Sequence, residues 1–282
     1  MVDLPHRAVM GVVNVTPDSF SDGGRFLDPQ RAIAHGRELV AAGADILDIG
    51  GESTRPGAEP VASDEELRRV IPVVEALASG GQVPVSIDTG KAVVADAALR
   101  AGATIVNDVT AGRGDPDLLG VVASAGAGLV VMHMQGEPRT MQQAPHYDDV
   151  TREVGEFLAA RLDAARAAGV AADALIADPG IGFGKTLAHN VELLAQLGDL
   201  ATAVGVPVVV GASRKTFLGK LTGADDPSMR DLSARDDATL ATTVWSFTQG
   251  ARIVRVHDVA TSARIARLLD VMARATPAGV AA

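Results

Sequence analysis

The 282-residue sequence contains no cysteine, which excludes disulfide bonds and metal sites built on thiolates. Aromatic residues make up only 3% of the chain, so we expect no platform of stacked rings for single-stranded nucleic acid. Positive charge is also scarce, because 25 Lys and Arg residues against 35 Asp and Glu residues give a formal net charge of −10. This acidic balance argues against nucleic acid or an anionic membrane as the main partner.

Long apolar runs are also lacking. None approaches the ~18 residues that a bilayer crossing requires. The first ten residues, MVDLPHRAVM, have no apolar segment behind a basic start of the kind that a secretory signal peptide shows. The predicted location is therefore the cytoplasm, with no membrane partner. An anionic substrate would need a local cluster of cations, or a metal ion, against the overall negative charge.

One pattern recurs along most of the chain: a helical stretch, a glycine and then an apolar strand, as in LVAAGADILDIGG at residues 39–51. Glycine suits the middle position because it readily adopts the left-handed conformation at a helix end. Glycines at predicted helix ends are Gly43, Gly80, Gly102, Gly126, Gly169, Gly205 and Gly250. Near-continuous apolar strands that alternate with helices predict a parallel sheet covered by helices.

If AVMGVV at residues 8–13 is the first strand, the sequence contains eight. Eight strand and helix pairs predict an α/β fold, a single (β/α)8 TIM barrel with its active site at the C-terminal ends of the strands. We assign residues 1–275 to this one domain and residues 276–282 to a disordered tail. A doubly wound open sheet is the alternative, although no G-x-G-x-x-G supports its dinucleotide-binding form.

Several helices can be located by their apolar spacing or by their start signals. Apolar residues at helical spacing in 67–77 follow a capping box predicted from Ser63 to Glu66. Asp28 before Pro29 predicts another helix start. The last helix is marked by Ile265, Leu268, Leu269 and Met272.

Polar side chains are concentrated at the predicted carboxyl ends of the strands, whereas the opposite ends have plain sequences such as AAGAD, RAGAT and AVGVP. One carboxylate after a strand is often only the cap of the next helix, and Asp108 and Asp258 can be explained in this way. Eight strand ends that carry such groups together indicate one site on one face of the barrel. The strand-end residues are Asn14, Glu52, Thr54, Arg55, Asp88, Asn107, Asp108, Met132, His133, Asp178, Ser213, Arg214, Lys215, Arg255, His257 and Asp258.

The types of side chain at these ends narrow the ligand. Asp88, Asn107 and Asp178 would be costly in a barrel mouth without partners, so they indicate a ligand with several fixed donors. A flat heterocycle with an amino-pyrimidinone edge supplies such donors, and Lys215 can serve its carbonyl oxygen. Arg255 can stack on the ring or hold an oxyanion, and Arg255 with the next residue but one, His257, can hold a phosphate.

A set of segments resembles one family, the dihydropteroate synthases of folate biosynthesis. The resemblance runs in the family's order from about Met10 to His257 and so covers nearly the whole chain. Single pieces such as SIDT are weak, whereas the complete set is highly specific. The matching segments are MGVVNVTPDSFSDGG, DIGGESTRPGA, SIDT, NDV, MHMQGEPRTMQ, DPGIGFGK, GASRK and RVHDV.

The resemblance implies a transferase that joins a dihydropterin-methyl group, delivered as its diphosphate ester, to the amine of 4-aminobenzoate. Asn14 would bind the cofactor Mg²⁺, which the diphosphate of the substrate also holds. The pterin diphosphate substrate would be bound, mainly through its pterin ring, by Thr54, Asp88, Asn107, Met132, Asp178, Phe183 and Lys215, with Arg255 and His257 on its diphosphate and pterin face. The 4-aminobenzoate would be bound by Phe20, Arg55, Pro56, Ser213 and Arg214. The resemblance also implies a homodimer.

The implied chemistry needs no enzyme nucleophile, and the sequence offers none with a partnered base. Mg²⁺, Arg255 and His257 would stabilise the leaving diphosphate, and Asp22 would stabilise the pterin-methyl cation until the aryl amine attacks. Asp88 and Lys215 complete the candidate catalytic residues. Residues 16–24 would form a lid that excludes water, and residues 51–57 would close the other side.

Two other functions remain open from the sequence. A corrinoid-dependent methyltransferase would share the pterin-binding barrel, but it needs neither the RVHD segment nor the lid sequence. A non-catalytic paralogue that binds pterin would keep the motifs without turnover. His133 and Lys185 have no role assigned by spacing.

Overall fold

A computed structural model describes residues 4–16, 29–54, 57–222 and 235–275. The strands in this part are β1 (Ala8–Asn14), β2 (Ile46–Gly50), β3 (Val85–Asp88), β4 (Ile105–Asp108), β5 (Gly128–Met132), β6 (Leu175–Asp178), β7 (Val209–Val210) and β8 (Ile253–Val256). The helices are α1 (Pro29–Ala41), α2 (Ser63–Ala78), α3 (Ala92–Arg100), α4 (Leu118–Ala125), α5 (Val150–Ala167), α6 (Leu187–Ala195), α7 (Leu197–Val204), α8 (Thr216–Leu221), α9 (Asp236–Thr248) and α10 (Val259–Ala275).

The eight strands form one parallel sheet in the order β6-β5-β4-β3-β2-β1-β8-β7. A parallel bridge between Ala177 and Val208 joins its two edges, and the Ala177 amide donates to the Pro207 carbonyl at 2.9 Å. This contact closes the sheet on itself. The prediction of a TIM barrel is therefore confirmed, and the open doubly wound sheet is wrong.

Alternation along the strands builds two cores. In β2, Leu47 and Ile49 face the surrounding helices and belong to the large outer core. Ile46 faces the barrel interior, where it packs in a smaller cluster with Ala8, Met10, Ile105, Val130, Ile176, Val209 and Ile253. This apolar cluster fills the lower part of the barrel. The polar residues nearer the carboxyl ends of the strands therefore lie above a layer of apolar side chains.

The start of α2 differs from the prediction. The helix itself is confirmed, but the cap residue is Ala62, which makes no side-chain cap hydrogen bond. The predicted capping box is therefore wrong, because Ser63 already lies within the helix and Glu66 bonds to Lys91 instead of reaching back. At the other end Gly81, rather than the predicted Gly80, adopts the left-handed conformation, with φ of +60°.

The helix after β8 is also confirmed, with Asp258 capping it by accepting a hydrogen bond from the Thr261 amide at 3.1 Å. Its apolar residues are not all buried, since Leu268 and Met272 are more than half exposed. Among the described residues, no helix is both long and apolar enough to cross a membrane. Residues 276–282, the predicted tail, lie outside the described part.

Candidate functional site

Strand register brings the predicted polar residues to one mouth of the barrel. Asn14 pairs with Gly50, Gly50 with Asp88, and Asp88 with Asn107, so the ends of four consecutive strands are level. On the far side Asp178 pairs with Met132. All these positions continue the inward-facing set of their strands, and their side chains therefore converge on one space.

Arg255 connects two acidic residues in this space. Its Nε donates to Asp48 Oδ2 at 2.6 Å, and its Nη2 donates to Asp88 Oδ2 at 2.8 Å. Asp48 is wholly buried in β2 and also accepts a hydrogen bond from Asn107 Nδ2 at 3.1 Å. A chain of direct contacts thus runs from Asp88 through Arg255 and Asp48 to Asn107.

The charged residues in this row of contacts shift one another's pKa values. Burial raises the pKa of Asp88 to about 7, an effect that Arg255 opposes and that the charge of Asp48 reinforces. Burial alone would lower the pKa of Arg255, but Asp48 and Asp88 raise it above its ordinary value. Arg255 is therefore a permanent cation, whereas Asp88 can gain or lose a proton near neutral pH.

Asp178 and Lys215 form the opposite side of the mouth. Asp178 Oδ1 accepts a hydrogen bond from the Gly180 amide at 2.7 Å, and burial raises its pKa against the pull of Lys215. Lys215 Nζ donates to the Ile181 carbonyl and lies 4.3 Å from the centre of the Phe183 ring. Burial lowers the pKa of Lys215 to about 8. The side chain is therefore mostly protonated at neutral pH and can donate a hydrogen bond to a ligand carbonyl.

Phe183 belongs to an apolar wall beside these polar groups. Met132, Met134 and Met141 form a buried cluster against which Val109 and Phe183 pack. Met132 ends β5 next to Asp178, so the apolar wall adjoins the polar groups directly. Methionine and phenylalanine side chains of this kind suit the face of a planar ring.

Lys185, which had no assigned role, holds the connection after β6. Its buried Nζ lies 2.9 Å from His133 Nδ1 and donates to the carbonyls of Gly180 and Phe183 at 3.0 Å each. Burial lowers the pKa of Lys185 well below its usual value and, with the charge of Lys185, lowers the pKa of His133 to about 2. His133 is therefore neutral, and its contact with Lys185 supports the loop from inside.

The connection after β6 passes very close to the residue that follows β5, His133. A Cβ on Gly180 would lie 1.8 Å from the His133 carbonyl oxygen, and φ at Gly180 is +66°. A side chain is therefore excluded on two independent grounds. This close approach is what lets Lys185 reach His133 from the β6 loop.

Ser213 and His257 are brought together at the ends of β7 and β8. Ser213 Oγ lies 3.0 Å from His257 Nδ1 and accepts a hydrogen bond from the His257 amide at 3.3 Å. A serine hydroxyl and a histidine ring are therefore in contact, contrary to the expectation that no nucleophile has a partnered base. Because the hydroxyl bridges the backbone and the ring of one residue, the arrangement fixes the orientation of His257.

Arg214, in contrast, is paired with the first residue of α9. Its guanidinium makes two hydrogen bonds to Asp236 on α9, at 2.8 and 3.1 Å. Its backbone is left-handed, with φ of +57°, and its amide donates to Thr239 Oγ1 at 3.0 Å. This strained residue directs the chain into α8, which Lys215 immediately precedes. Its contact with 4-aminobenzoate stays a prediction.

Asn14 and Thr54 are half-buried at the rim of the same mouth, one at the end of β1 and the other after β2. Asp108 is held elsewhere, since it accepts hydrogen bonds from Thr110 and the Gly112 amide within its own loop. Asp108 therefore does not cap the next helix, α4, which begins at Leu118, and the explanation of Asp108 as a helix cap is wrong. Phe20, Asp22, Arg55 and Pro56 lie outside the described residues, as does Asp28.

Asp48 is the residue of this site that the sequence analysis missed. Its signal was present in the sequence ILDIG of β2, because a carboxylate inside an otherwise apolar buried strand needs a partner. Asp48 lies two positions before the strand end, whereas the sequence argument for function rests on residues at the strand ends. Lys185 gave no comparable signal, because its partners are backbone carbonyls and a distant histidine.

The sequence and fold match one family throughout. The sequence pattern described as pterin binding enzyme matches residues 10–257. Dihydropteroate synthase of Mycobacterium leprae is 48% identical over 270 residues, spanning 95% of this chain and 94% of that protein. The enzyme of Escherichia coli strain K12 is 44% identical over 269 residues, spanning 95% and 93%.

Solved structures agree with these sequence matches. Xanthomonas albilineans dihydropteroate synthase with 4-aminobenzoic acid superposes with a TM-score of 0.88 at 47% identity, covering 96% of this chain and 94% of that one. The same species' enzyme in complex with 7,8-dihydropteroate gives 0.85 at 44% identity, covering 98% and 97%. The likeness therefore extends over the whole barrel and its mouth.

Proposed function

The chain belongs to the dihydropteroate synthase family of pterin-binding enzymes, and we propose that it catalyses that family's reaction. It condenses (7,8-dihydropterin-6-yl)methyl diphosphate with 4-aminobenzoate and releases 7,8-dihydropteroate and diphosphate. The observation that carries the proposal is the meeting of Asp88, Asn107, Asp178 and Lys215 at one barrel mouth beside an apolar wall.

These groups match the edge of a pterin in their hydrogen-bonding capacity. The carboxylates of Asp88 and Asp178 accept from ring and amino N–H groups, and the amide of Asn107 can both donate and accept. Lys215 donates to the ring carbonyl. Phe183 and Met132 cover the ring faces, so the ring fills the apolar side while its polar edge satisfies the buried groups.

Departure of the diphosphate places negative charge on the rim. Arg255 remains a cation because Asp48 and Asp88 hold it in place and raise its pKa. His257, oriented by Ser213, is two residues further along and adds a donor to the same leaving group. These residues supply hydrogen-bond donors, one of them cationic, to a leaving group that the net charge of −10 would otherwise disfavour.

Mg²⁺ fits the residues at this rim as an ion carried mainly by the substrate. No group of three His, Asp or Glu side chains in the described part of the chain is arranged to hold a metal. Magnesium commonly takes one or two protein oxygens together with phosphate oxygens and water, and the Asn14 side chain offers such an oxygen. When bound, the ion neutralises charge that develops on the diphosphate.

Carbon–nitrogen bond formation requires only the amine of 4-aminobenzoate and the pterin methylene. The carbon–oxygen bond to the diphosphate breaks with both electrons leaving on oxygen, and the ring system delocalises the positive charge on the methylene. The amine lone pair then forms the new bond and loses one proton. The protein contributes orientation, exclusion of water and a fixed electrostatic environment.

Diphosphate release tests the proposal directly. We expect release from the purified protein to require both 4-aminobenzoate and Mg²⁺, to stop with EDTA and to return with excess Mg²⁺. Lys215→Met should lower kcat/KM more than a hundredfold, whereas Lys220→Met on the exposed side of α8 should not. Release that ignores both the amine and the metal would contradict the proposal.

The rival functions give different results in the same preparation. A corrinoid-type methyltransferase would transfer a methyl group to a corrinoid acceptor and release no diphosphate. A non-catalytic paralogue would bind the pterin diphosphate without turnover.

We further assign the protein to the cytoplasm, in keeping with the sequence-based expectation.

A homodimer is supported by apolar residues exposed on the last helices. Val271 on α10 is 64% exposed and Trp245 on α9 is 45% exposed. Leu268 and Met272 extend the face on α10. An apolar face of this extent favours a second copy of the chain in a family whose members are expected to be dimers.

Oligomeric state in solution tests the dimer. Val271→Glu should shift the molar mass, measured by light scattering after gel filtration, from two chains to one. Val93→Glu on α3, where valine is also exposed, provides the matched control and should leave the mass unchanged. A wild-type protein of single-chain mass would contradict the homodimer.

A further inference from the structure

An ion cluster lies just outside the residues that face the proposed ligand. Lys91 Nζ contacts carboxylate oxygens of both Glu52 and Glu66. Glu66 is wholly buried on α2, whereas Lys91 and Glu52 are about a quarter exposed. We call these three residues the Lys91 cluster. It joins the segment after β2, the start of α2 and the start of α3.

The cluster is attached to the backbone on either side of the ligand-facing residues. Lys91 is the cap residue of α3, three positions after Asp88, and the next amide, that of Ala92, donates to Asp115 at 2.8 Å. Glu52 lies two positions before Thr54 on the connection that leaves β2. The ammonium of Lys91 therefore connects the ends of two neighbouring strands.

The connection after β2 is also held against α2 at Gly51. Arg69 Nη1 donates to the Gly51 carbonyl at 2.8 Å. A Cβ on Gly51 would lie 2.6 Å from Val70 Cγ1 and 3.0 Å from Glu66 Cγ, so the backbone lies directly on the helix. Residues 51 and 52 are thus immobilised by separate contacts immediately before Thr54.

Electrostatics makes the cluster strong and keeps it charged. Burial lowers the pKa of Lys91, but hydrogen bonds and charges from Glu52 and Glu66 raise it above its ordinary value overall. The buried carboxylate of Glu66 depends on this cation for compensation. Glu52 is the member that can be changed without leaving the buried charge alone, because Lys91 would still pair with Glu66.

We propose that the Lys91 cluster is a positioning device, which holds the segment after β2 so that Thr54 is set to contact the pterin diphosphate. The identity of the ligand as the pterin diphosphate rests on the proposed function. None of the three residues needs to touch the substrate. Their effect is transmitted through the backbone from Glu52 to Thr54, so it should appear in substrate affinity and depend on the Thr54 hydroxyl.

A double-mutant cycle tests this dependence. The dissociation constant of (7,8-dihydropterin-6-yl)methyl diphosphate is measured by calorimetry for the wild type, Glu52→Gln, Thr54→Val and the double variant. We expect Glu52→Gln to weaken binding about fivefold in the wild type, the size of one ordinary hydrogen bond, and to have no further effect beside Thr54→Val. Glu75→Gln on the exposed face of α2 is the charge-matched control.

Hydrogen exchange supplies a readout that does not depend on the ligand. Glu52→Gln should speed exchange of the amides at residues 52–54 relative to Glu75→Gln, while the global unfolding free energy stays close to that of the wild type. Unchanged exchange overturns the positioning role whatever the protein binds. Equal weakening of binding in both backgrounds of the cycle overturns it as well, and a wild type that binds no pterin diphosphate instead contradicts the proposed function.

The lysine provides the final comparison. Lys91→Met removes the compensation of Glu66 and is expected to destabilise the fold, so it cannot separate positioning from stability. Lys91→Arg retains a cation that both carboxylates can bind. If the amides at residues 52–54 exchange in Lys91→Arg at the wild-type rate, the positioning role of the Lys91 cluster is supported. If they exchange as fast in Lys91→Arg as is expected in Glu52→Gln, the positioning role is contradicted.

Discussion

Arg255 Nε lies 2.6 Å from Asp48 Oδ2, and this oxygen also accepts a hydrogen bond from Asn107. One carboxylate therefore sets the position of a cation from β8 and of an amide from β4. Asp48 itself lies on β2, below the level of the rim. Residues from three different strands are thus aligned through a single atom that a ligand need not touch.

We expect Asp48→Asn to impair the reaction by releasing Arg255 and Asn107 from this alignment. Loss of the negative charge also removes a repulsion from Asp88, so the pKa of Asp88 should fall below its wild-type value of about 7. We expect kcat/KM to drop about a hundredfold. Its pH profile should move to lower pH, and an unmoved profile would contradict the electrostatic link.

Asp45→Asn is the matched control for Asp48→Asn. Asp45 directly precedes β2 at the opposite mouth of the barrel and accepts a hydrogen bond from the Val9 amide at 2.8 Å. Its replacement should cost stability without a comparable loss of kcat/KM. If the two variants lose activity equally, Asp48 acts through the fold in general.

Stability should depend on pH through Asp88. In the native state its pKa is raised to about 7 by burial, whereas in the unfolded chain it returns to about 3.9. The native state thus binds more protons between these values, and the unfolding free energy falls as the pH rises through this range. Relative to Asp88→Asn, the wild type should lose about 2 kcal/mol between pH 5 and pH 8.

Urea unfolding at the two pH values measures this difference. Asp64→Asn, at an exposed position in the first turn of α2, is the matched control and should show the same pH dependence as the wild type. A wild type that gained stability relative to Asp88→Asn on raising the pH would reverse the predicted sign.

Lys185→Met should loosen the connection after β6. The substitution keeps an apolar stem but leaves the carbonyls of Gly180 and Phe183 and the Nδ1 atom of His133 without their donor. Unfolding free energy should fall by about 2–4 kcal/mol, since buried acceptors without partners are costly. Denaturant unfolding with Lys220→Met as control measures the loss, and an unchanged midpoint would show that the loop is held by other contacts.

Ser213→Ala distinguishes an orienting hydroxyl from a nucleophile. Because Ser213 contacts both the amide and the ring of His257, we expect its loss to lower kcat by about tenfold at most. Removal of a nucleophile from a covalent mechanism costs several orders of magnitude more. Single-turnover rates therefore decide between the two roles, with Ser79→Ala at the exposed end of α2 as the control.

Much of the barrel could be predicted from sequence because its signals are local. The apolar runs such as ILDIG, the glycines after helices and the helical spacing of residues 67–77 each depend on neighbours within a few positions. The grouping of Asp88, Asn107 and Asp178 also followed, since parallel strands present their carboxyl ends at one mouth. Glu66 was misjudged for the opposite reason, because a local capping pattern competed with a distant lysine.

The sequence by itself determined the order of strands and helices, and hence which end of the barrel holds polar groups. Tertiary structure alone decided which of these groups meet: Asp48 with Arg255 across 207 positions, Lys185 with His133 across 52, and Lys91 with Glu52 across 39. Such pairs leave no periodic signal, because closure of the sheet and the depth of each side chain determine their distance. Local chemistry specifies the elements, whereas burial determines which charges must find one another.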